Sequence, residues 1–212
     1  MPDMTRNMGV GRYIDETYSL GVGSADISVY EMVAAYNTFP SKGVYVSPIF
    51  VTRIEDNMGN VIGEFNNTKR EAIGEHTAYL MANLMQGVVN SGTGVRLRSK
   101  YGLKGEIAGK TGTTNDQSDG WFIGYTPSLT AGVWVGAEDR QVHFESLALG
   151  GGSNMALPIW GLFMKKVLAD GTLGVSEADR FVPSGIKLEL NCDGSDADAV
   201  QASQDDESLY FD

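Results

Sequence analysis

The sequence predicts a mixed α/β fold of the α+β type, in which an antiparallel sheet is flanked by helices. Stretches with helical periodicity alternate along the chain with short runs rich in β-branched and aromatic residues. The last three of these runs are joined by short loops, and such connections favour antiparallel neighbours. The chain has 212 residues, which is enough for one domain with a substantial core.

The first part of the chain is predicted to contain a helix and a hairpin. Ser28 and Glu31 have the spacing of a capping box, and the apolar residues that follow recur at helical intervals, which predicts a helix over 29–39. Runs rich in β-branched and aromatic residues predict strands over 44–55 and 61–65. Turn-forming residues separate these two runs, so we expect them to pair as a surface hairpin.

The second part of the chain is predicted to contain two helices and a meander. An amphipathic stripe predicts a helix over 75–90. Three strands are predicted over 106–113, 121–125 and 129–136, and their short connections make them antiparallel neighbours. Apolar residues at helical spacing predict a last helix over 153–167.

Composition excludes several classes of function. The net charge of −11 would repel a polyphosphate, so nucleic acid is not an expected partner. No apolar run approaches the roughly 18 residues that a membrane helix needs. With two histidines and a single cysteine, Cys192, we expect no metal site of histidine and cysteine ligands, and no cofactor is predicted.

The end of the chain differs from the rest in charge. Residues 193–212 include seven acidic residues and no lysine or arginine, and apolar residues are scarce. Such a segment cannot bury enough surface to offset the entropy lost on ordering. We therefore expect a domain over 1–190 and a disordered acidic tail over 191–212.

The segment Lys110-Thr111-Gly112-Thr113 is the strongest candidate for chemistry. On a strand, Lys110 and Gly112 would share one face, and Thr111 and Thr113 the other. Such a strand edge offers backbone N–H groups, two hydroxyls and a cation, which are the groups needed for acyl transfer at a peptide with a free C-terminal carboxylate. A Lys-Thr-Gly tripeptide also occurs by chance in many proteins, so its context decides the interpretation.

The context resembles the third active-site motif of class A (bifunctional) penicillin-binding proteins. The resemblance rests first on Gly109–Asp116, Asp119–Pro127 and Val133–Gly136. It extends in the same order to further segments, at 8–10, 20–21, 28–39, 43–44, 53–56, 77–81, 92–94, 151–153 and 158–160. It therefore covers the chain from about Met8 to Val167.

This resemblance implies the C-terminal part of the serine transpeptidase, or β-lactamase-like, fold. In that family, an active-site serine attacks the D-Ala-D-Ala stem peptide of peptidoglycan, and β-lactams mimic this substrate. By resemblance, Lys110 would bind the serine of the second motif, and Gly112 would lie in the substrate-binding strand. Thr111 and Thr113 would hold the substrate carboxylate, and the Thr113 N–H would help to form the oxyanion hole. The implied location is the periplasmic face of the bacterial inner membrane.

Two motifs of the family are missing from this sequence. Ser-x-Asn does not occur, and the single Ser-x-x-Lys, at 184–187, follows Lys110 in chain order and shows no helix pattern. The family's membrane helix and glycosyltransferase domain also have no room before Met8. We expect the chain to begin after the second motif, to be inactive alone, and to self-associate or to need a complementing chain.

Two alternatives stay open. Residues 105–111 resemble a P-loop of a nucleotide-binding protein but are one residue short, and turn-forming residues follow Thr111 where a P-loop needs a helix. The second alternative keeps the same fold and makes the chain a non-catalytic interaction module, because the serine is absent. Serine β-lactamases and D,D-carboxypeptidases share the Lys-Thr-Gly motif, but the segments around Trp121 and Trp134 are more similar to class A penicillin-binding proteins.

Overall fold

The computed structural model describes residues 2–15, 17–23, 25–183 and 185. Six α-helices and seven strands follow one another in this part of the chain. The first half contains α1 (Pro2–Asn7), α2 (Val29–Tyr36), β1 (Val44–Val46), β2 (Arg53–Glu55), β3 (Val61–Glu64), β4 (Lys69–Glu71) and α3 (Glu75–Asn90). The second half contains α4 (Arg96–Ser99), β5 (Ala108–Thr113), β6 (Asp119–Tyr125), β7 (Thr130–Gly136), α5 (Leu147–Gly150) and α6 (Gly152–Ala169). The predicted tail at 191–212 and the boundary at 190 lie outside the described residues.

The predicted antiparallel meander is confirmed. Strands β5, β6 and β7 form one sheet in chain order, and both pairs of neighbours are antiparallel. The register places Lys110 opposite Ile123 and Thr111 opposite Phe122. Each strand starts or ends within two residues of its predicted bounds, because glycines and polar turns mark the ends clearly in the sequence.

Helices cover both faces of this sheet, as predicted. On one face, the buried Trp160 of α6 packs edge-on against Phe122, and its indole N–H donates to the carbonyl oxygen of Ala131 at 3.0 Å. On the opposite face, Tyr125 packs against residues of α3, and Val33 of α2 approaches Gly132. The sheet is therefore the middle layer between α6 and the pair α2 and α3.

The predicted helices are present with small changes. The capping box before α2 is complete, because the Ser28 hydroxyl accepts the Glu31 N–H while the Glu31 carboxylate accepts the Ser28 N–H, each at 3.2 Å. Helix α2 ends at Tyr36, three residues before the predicted end, and turns continue the chain from there. Helix α3 has the predicted bounds, and α6 is longer than predicted by one residue at its start and two at its end.

The predicted single strand over 44–55 is wrong. Its beginning, β1, pairs with β4, whereas its end, β2, pairs with β3. Pro48 lies between β1 and β2, where a residue without a backbone N–H cannot extend a ladder. Strand β4 was not predicted, because Lys69-Arg70-Glu71 has no β-branched or aromatic residue. The hairpin of β2 and β3 is confirmed, and nearly all of its residues are exposed.

Candidate active site

Strand β5 carries the predicted motif on an edge of the sheet. No described strand pairs with the edge that faces away from β6. Ala108 and Gly109 are buried at the start of β5, where Ala108 packs against Ala82 and Met85 of α3. The rest of the strand, Lys110 to Thr113, is exposed or half-buried. The structure therefore anchors one end of β5 and leaves the motif accessible.

Backbone groups of the motif point toward this open edge. The Thr114 N–H donates to the carbonyl oxygen of Asp119 at 3.2 Å, so these two residues form a hydrogen-bonded pair at the end of the ladder. Antiparallel ladders alternate, so the N–H and C=O groups of Thr113 and Thr111 are directed away from β6. In agreement with this, the Thr111 carbonyl oxygen accepts a hydrogen bond from Lys110 Nζ at 2.6 Å.

The motif's side chains alternate as the sequence predicts. Lys110 and Gly112 share a face with Trp121 and Ile123 of β6. The hydroxyls of Thr111 and Thr113 lie on the opposite face, where each contacts another element. Thr111 Oγ1 lies 2.8 Å from Thr93 Oγ1, and Thr113 Oγ1 accepts the Gly152 N–H at 3.0 Å.

Thr93 and Gly152 are site residues that the sequence analysis missed. Gly152 opens α6 so close to the sheet that a Cβ there would lie 2.2 Å from the Gly112 carbonyl oxygen. Thr93 lies in the loop between α3 and α4, with a glycine on each side. In the sequence, both glycine-rich segments were assigned to the family resemblance without a role in the site, although glycine also permits the close backbone approach seen here.

The loop that follows the motif is held by a buried carboxylate. Asp119 accepts hydrogen bonds from Trp134 Nε1 at 2.9 Å and from Thr114 Oγ1 at 3.3 Å. Two residues of this loop, Asp116 and Gln117, have φ values of 56° and 55°, in the left-handed region that non-glycine residues rarely adopt. The contacts of Asp119 hold the loop in this conformation, and the loop fixes the end of β5.

Other candidate chemistry is not supported in the described part of the chain. There, no group of three or more histidine, cysteine or acidic side chains is placed to hold a metal ion. None of the helices described is long and apolar enough to cross a membrane. The P-loop alternative is not favoured, because Thr111 lies within β5 and does not start a helix. His76 is in the first turn of α3, and His143 is exposed.

Comparison with known proteins agrees with this geometry. Residues 5–146 match the model of the penicillin binding protein transpeptidase domain, and the chain belongs to this family. Among its relatives is penicillin-binding protein 1A of Aquifex aeolicus, 34% identical over 150 residues, which cover 71% of this chain and 20% of the relative. Penicillin-binding protein 1A of Clostridium acetobutylicum is 37% identical over 155 residues, which cover 73% of this chain and 18% of the relative. The chain thus spans about a fifth of the length of these relatives.

Solved structures confirm the fold. Penicillin-binding protein 1A from Haemophilus influenzae aligns with a TM-score of 0.70 at 21% identity, over 86% of this chain and 31% of that one. PonA1, a penicillin-binding protein from Mycobacterium tuberculosis, also gives 0.70, at 24% identity over 87% of this chain and 52% of that one. PonA1 in complex with penicillin V gives 0.66 at 22% identity, over the same shares of the two chains.

Proposed function

We propose that this chain forms the substrate-binding wall of a peptidoglycan D,D-transpeptidase that works through an acyl-serine intermediate. The observation that carries the proposal is the open edge of β5, where the N–H groups of Thr111 and Thr113 and a hydroxyl pair are accessible. An extended peptide ending in a carboxylate can align along such an edge and form main-chain hydrogen bonds. Membership of the transpeptidase family supports the same reaction class.

Each motif residue has a proposed role in this reaction. Thr111 and Thr113 donate hydrogen bonds from their hydroxyls to the terminal carboxylate of the D-Ala-D-Ala stem peptide, or to the carboxylate of a β-lactam. Gly112 leaves space for the substrate along the strand. The Thr113 N–H stabilises the negative charge that develops on the attacked carbonyl oxygen. Lys110 provides a positive charge beside the reacting groups and hydrogen-bonds the serine of the second motif.

The proposed reaction needs an active-site serine that is supplied from outside these 212 residues. The family's Ser-x-x-Lys and Ser-x-Asn motifs have no suitable counterpart among these 212 residues, so we propose that the chain alone does not turn over substrate. The complete enzyme would act at the periplasmic face of the bacterial inner membrane. We also propose that it is membrane-anchored and carries a glycosyltransferase domain, as the class A resemblance implies. Residues 1–190 would be the partial transpeptidase domain, followed by the acidic tail at 191–212.

A fluorescent penicillin tests the missing nucleophile. We expect no covalent adduct by mass spectrometry when the 212-residue chain is incubated with the probe. We expect the opposite result for a chimera in which this chain replaces the matching segment of the Aquifex aeolicus relative. In the chimera, the serine of that relative should be acylated. Thr113→Val in the chimera keeps the backbone N–H but removes the hydroxyl proposed to bind the carboxylate, so it should slow acylation by about 10-fold or more, the size of one hydrogen bond to a charged group. An adduct on the isolated chain would contradict the proposed inactivity.

Exposed apolar residues suggest how the chain associates. On the outer face of α6, Ile159, Leu162 and Phe163 are about half exposed. In the described residues, the outer edge of β7 also has no strand partner. Such surfaces favour association. We propose that a second copy or a complementing chain covers them, and a compact, cooperative monomer in sedimentation velocity would count against this.

A further inference from the structure

Thr93 is held beside the motif by an unusually close loop. After α3, the Gly92 N–H donates to the Gly87 carbonyl oxygen and the Gly94 N–H donates to that of Val88, so the chain folds back on the last turn of the helix. A Cβ at Gly92 would lie 2.9 Å from Val88 Cα, and one at Gly94 would lie 3.1 Å from the Val88 carbonyl oxygen. The two glycines therefore allow the tight loop that carries Thr93 toward β5.

The contact between the two hydroxyls has a chemical consequence. A threonine hydroxyl donates one hydrogen and accepts others. If Thr93 donates to Thr111 Oγ1, the hydrogen of Thr111 is free for an anion at the open edge. That arrangement also strengthens the outgoing bond, because hydrogen bonds in a chain polarise one another. A bound carboxylate would select this direction, since it can only accept.

We propose that Thr93 is a positioning residue of the carboxylate-binding site and determines its preference for anionic ligands. It acts through Thr111, by donating to its hydroxyl so that Thr111 donates to the carboxylate. The inference rests on the proposed role of Thr111, and it adds a residue that lies outside the Lys-Thr-Gly-Thr motif. Lys110 does not take this role, because its side chain lies on the other face of β5.

The test uses the 212-residue chain and needs no catalysis. Penicillin G and its methyl ester are titrated into isotopically labelled protein, and amide shifts of Thr111 and Thr113 are followed by NMR. The two probes differ in the carboxylate alone. The variants are Thr93→Val, which removes the hydroxyl at nearly constant shape, and Thr93→Ser, which keeps it. Thr77→Val is the matched control, because Thr77 is an exposed residue in the first turn of α3, the helix that precedes the Thr93 loop.

We expect Thr93→Val to weaken binding of penicillin G about fivefold, the size of one ordinary hydrogen bond, and to leave binding of the ester unchanged. Thr93→Ser and Thr77→Val should bind both probes as the parent chain does. A purely structural defect would weaken both probes and lower the melting temperature of Thr93→Val, which would overturn the inference. Unchanged binding of penicillin G by Thr93→Val would overturn it too, while leaving the proposed function intact. If the parent chain binds penicillin G no better than the methyl ester, the proposed binding of the carboxylate by Thr111 and Thr113 is wrong, and the role of Thr93 is wrong with it.

Discussion

The sheet of β5, β6 and β7 and the segment 44–71 are both built from short antiparallel strands, yet they are covered very differently. In the sheet, Phe122 is fully buried and packs against Trp160. In the segment, Phe50 is 85% exposed, and Ile62 is 68% exposed. Burial of a large apolar side chain contributes about 1.5–3 kcal/mol, so most of the stability must come from the sheet and its helices.

This difference matters for the site. In the proposed site, the motif strand has to hold two hydroxyls and two N–H groups in place, and it belongs to the sheet whose central strand is mostly buried. Its neighbour β6 is buried almost throughout, whereas β2 and β3 are exposed on both faces. Elements with few buried contacts open at low free energy, so we expect the segment 44–71 to fluctuate while β5 stays fixed.

The same substitution in the two regions gives the largest expected contrast. We expect Phe122→Ala to lower the free energy of unfolding by about 3–5 kcal/mol, because it leaves a cavity beneath Trp160. Phe50 is 85% exposed and stacks on Tyr30 with ring centroids 5.4 Å apart, so Phe50→Ala should cost less than about 1 kcal/mol. Urea unfolding followed by circular dichroism measures both. Similar losses in free energy of unfolding for the two variants would show that the segment 44–71 contributes as much to stability as the sheet does.

Two glycines, Gly152 at the start of α6 and Gly63 in β3, allow the same comparison to be made at the backbone. In Gly152→Ala the new Cβ would clash with backbone oxygens of Gly112 and Trp121, so α6 must shift away from β5 and we expect a loss of about 1–3 kcal/mol. In Gly63→Ala the nearest contact is Phe65 at 3.6 Å, an ordinary distance, and the change should be neutral or stabilising by about 0.5 kcal/mol.

Thermal unfolding of the two glycine variants gives the comparison directly. Amide exchange at position 152 should also rise in Gly152→Ala, because the hydrogen bond that this N–H donates to Thr113 Oγ1 is lost. Equal stability of the two variants would mean that α6 tolerates displacement and does not support the motif strand.

The two regions were also predictable to different degrees. The meander could be read from the sequence because its strands are rich in β-branched and aromatic residues and end at clear turns. In the segment 44–71, the same composition rule joined β1 and β2 into one strand, although Pro48 interrupts them. Strand β4 is specified by pairing with β1 and not by its own charged residues, and single-sequence reasoning has no access to pairing.

The site shows the same limit. The four residues of the motif are contiguous, so alternation alone placed Lys110 and Gly112 on one face and the two threonines on the other. Thr93 precedes Thr111 by 18 positions in sequence, and Gly152 follows Thr113 by 39. Contacts at such separations depend on how α3 and α6 pack on the sheet, which local periodicity does not determine.

A smaller, pH-dependent contrast separates two carboxylates, one that caps α2 beside the sheet and one in the exposed turn between β2 and β3. Hydrogen bonds from the Ser28 hydroxyl and backbone lower the pKa of Glu31, and bonds from Asn60 lower that of Asp56. A lowered folded-state pKa stabilises the fold above the unfolded pKa, and this stabilisation is lost as the pH falls through the folded value.

We therefore expect Glu31→Gln to cost about 1 kcal/mol at pH 7, and the difference from the parent chain to shrink below about pH 4. Asp56→Asn should alter amide exchange in the β2–β3 hairpin alone, because the hydrogen bonds of that carboxylate stay within the turn. Urea unfolding measured from pH 7 to pH 3 tests the prediction for Glu31→Gln. If the loss in free energy of unfolding stays constant with pH, the charge of Glu31 contributes nothing to the cap.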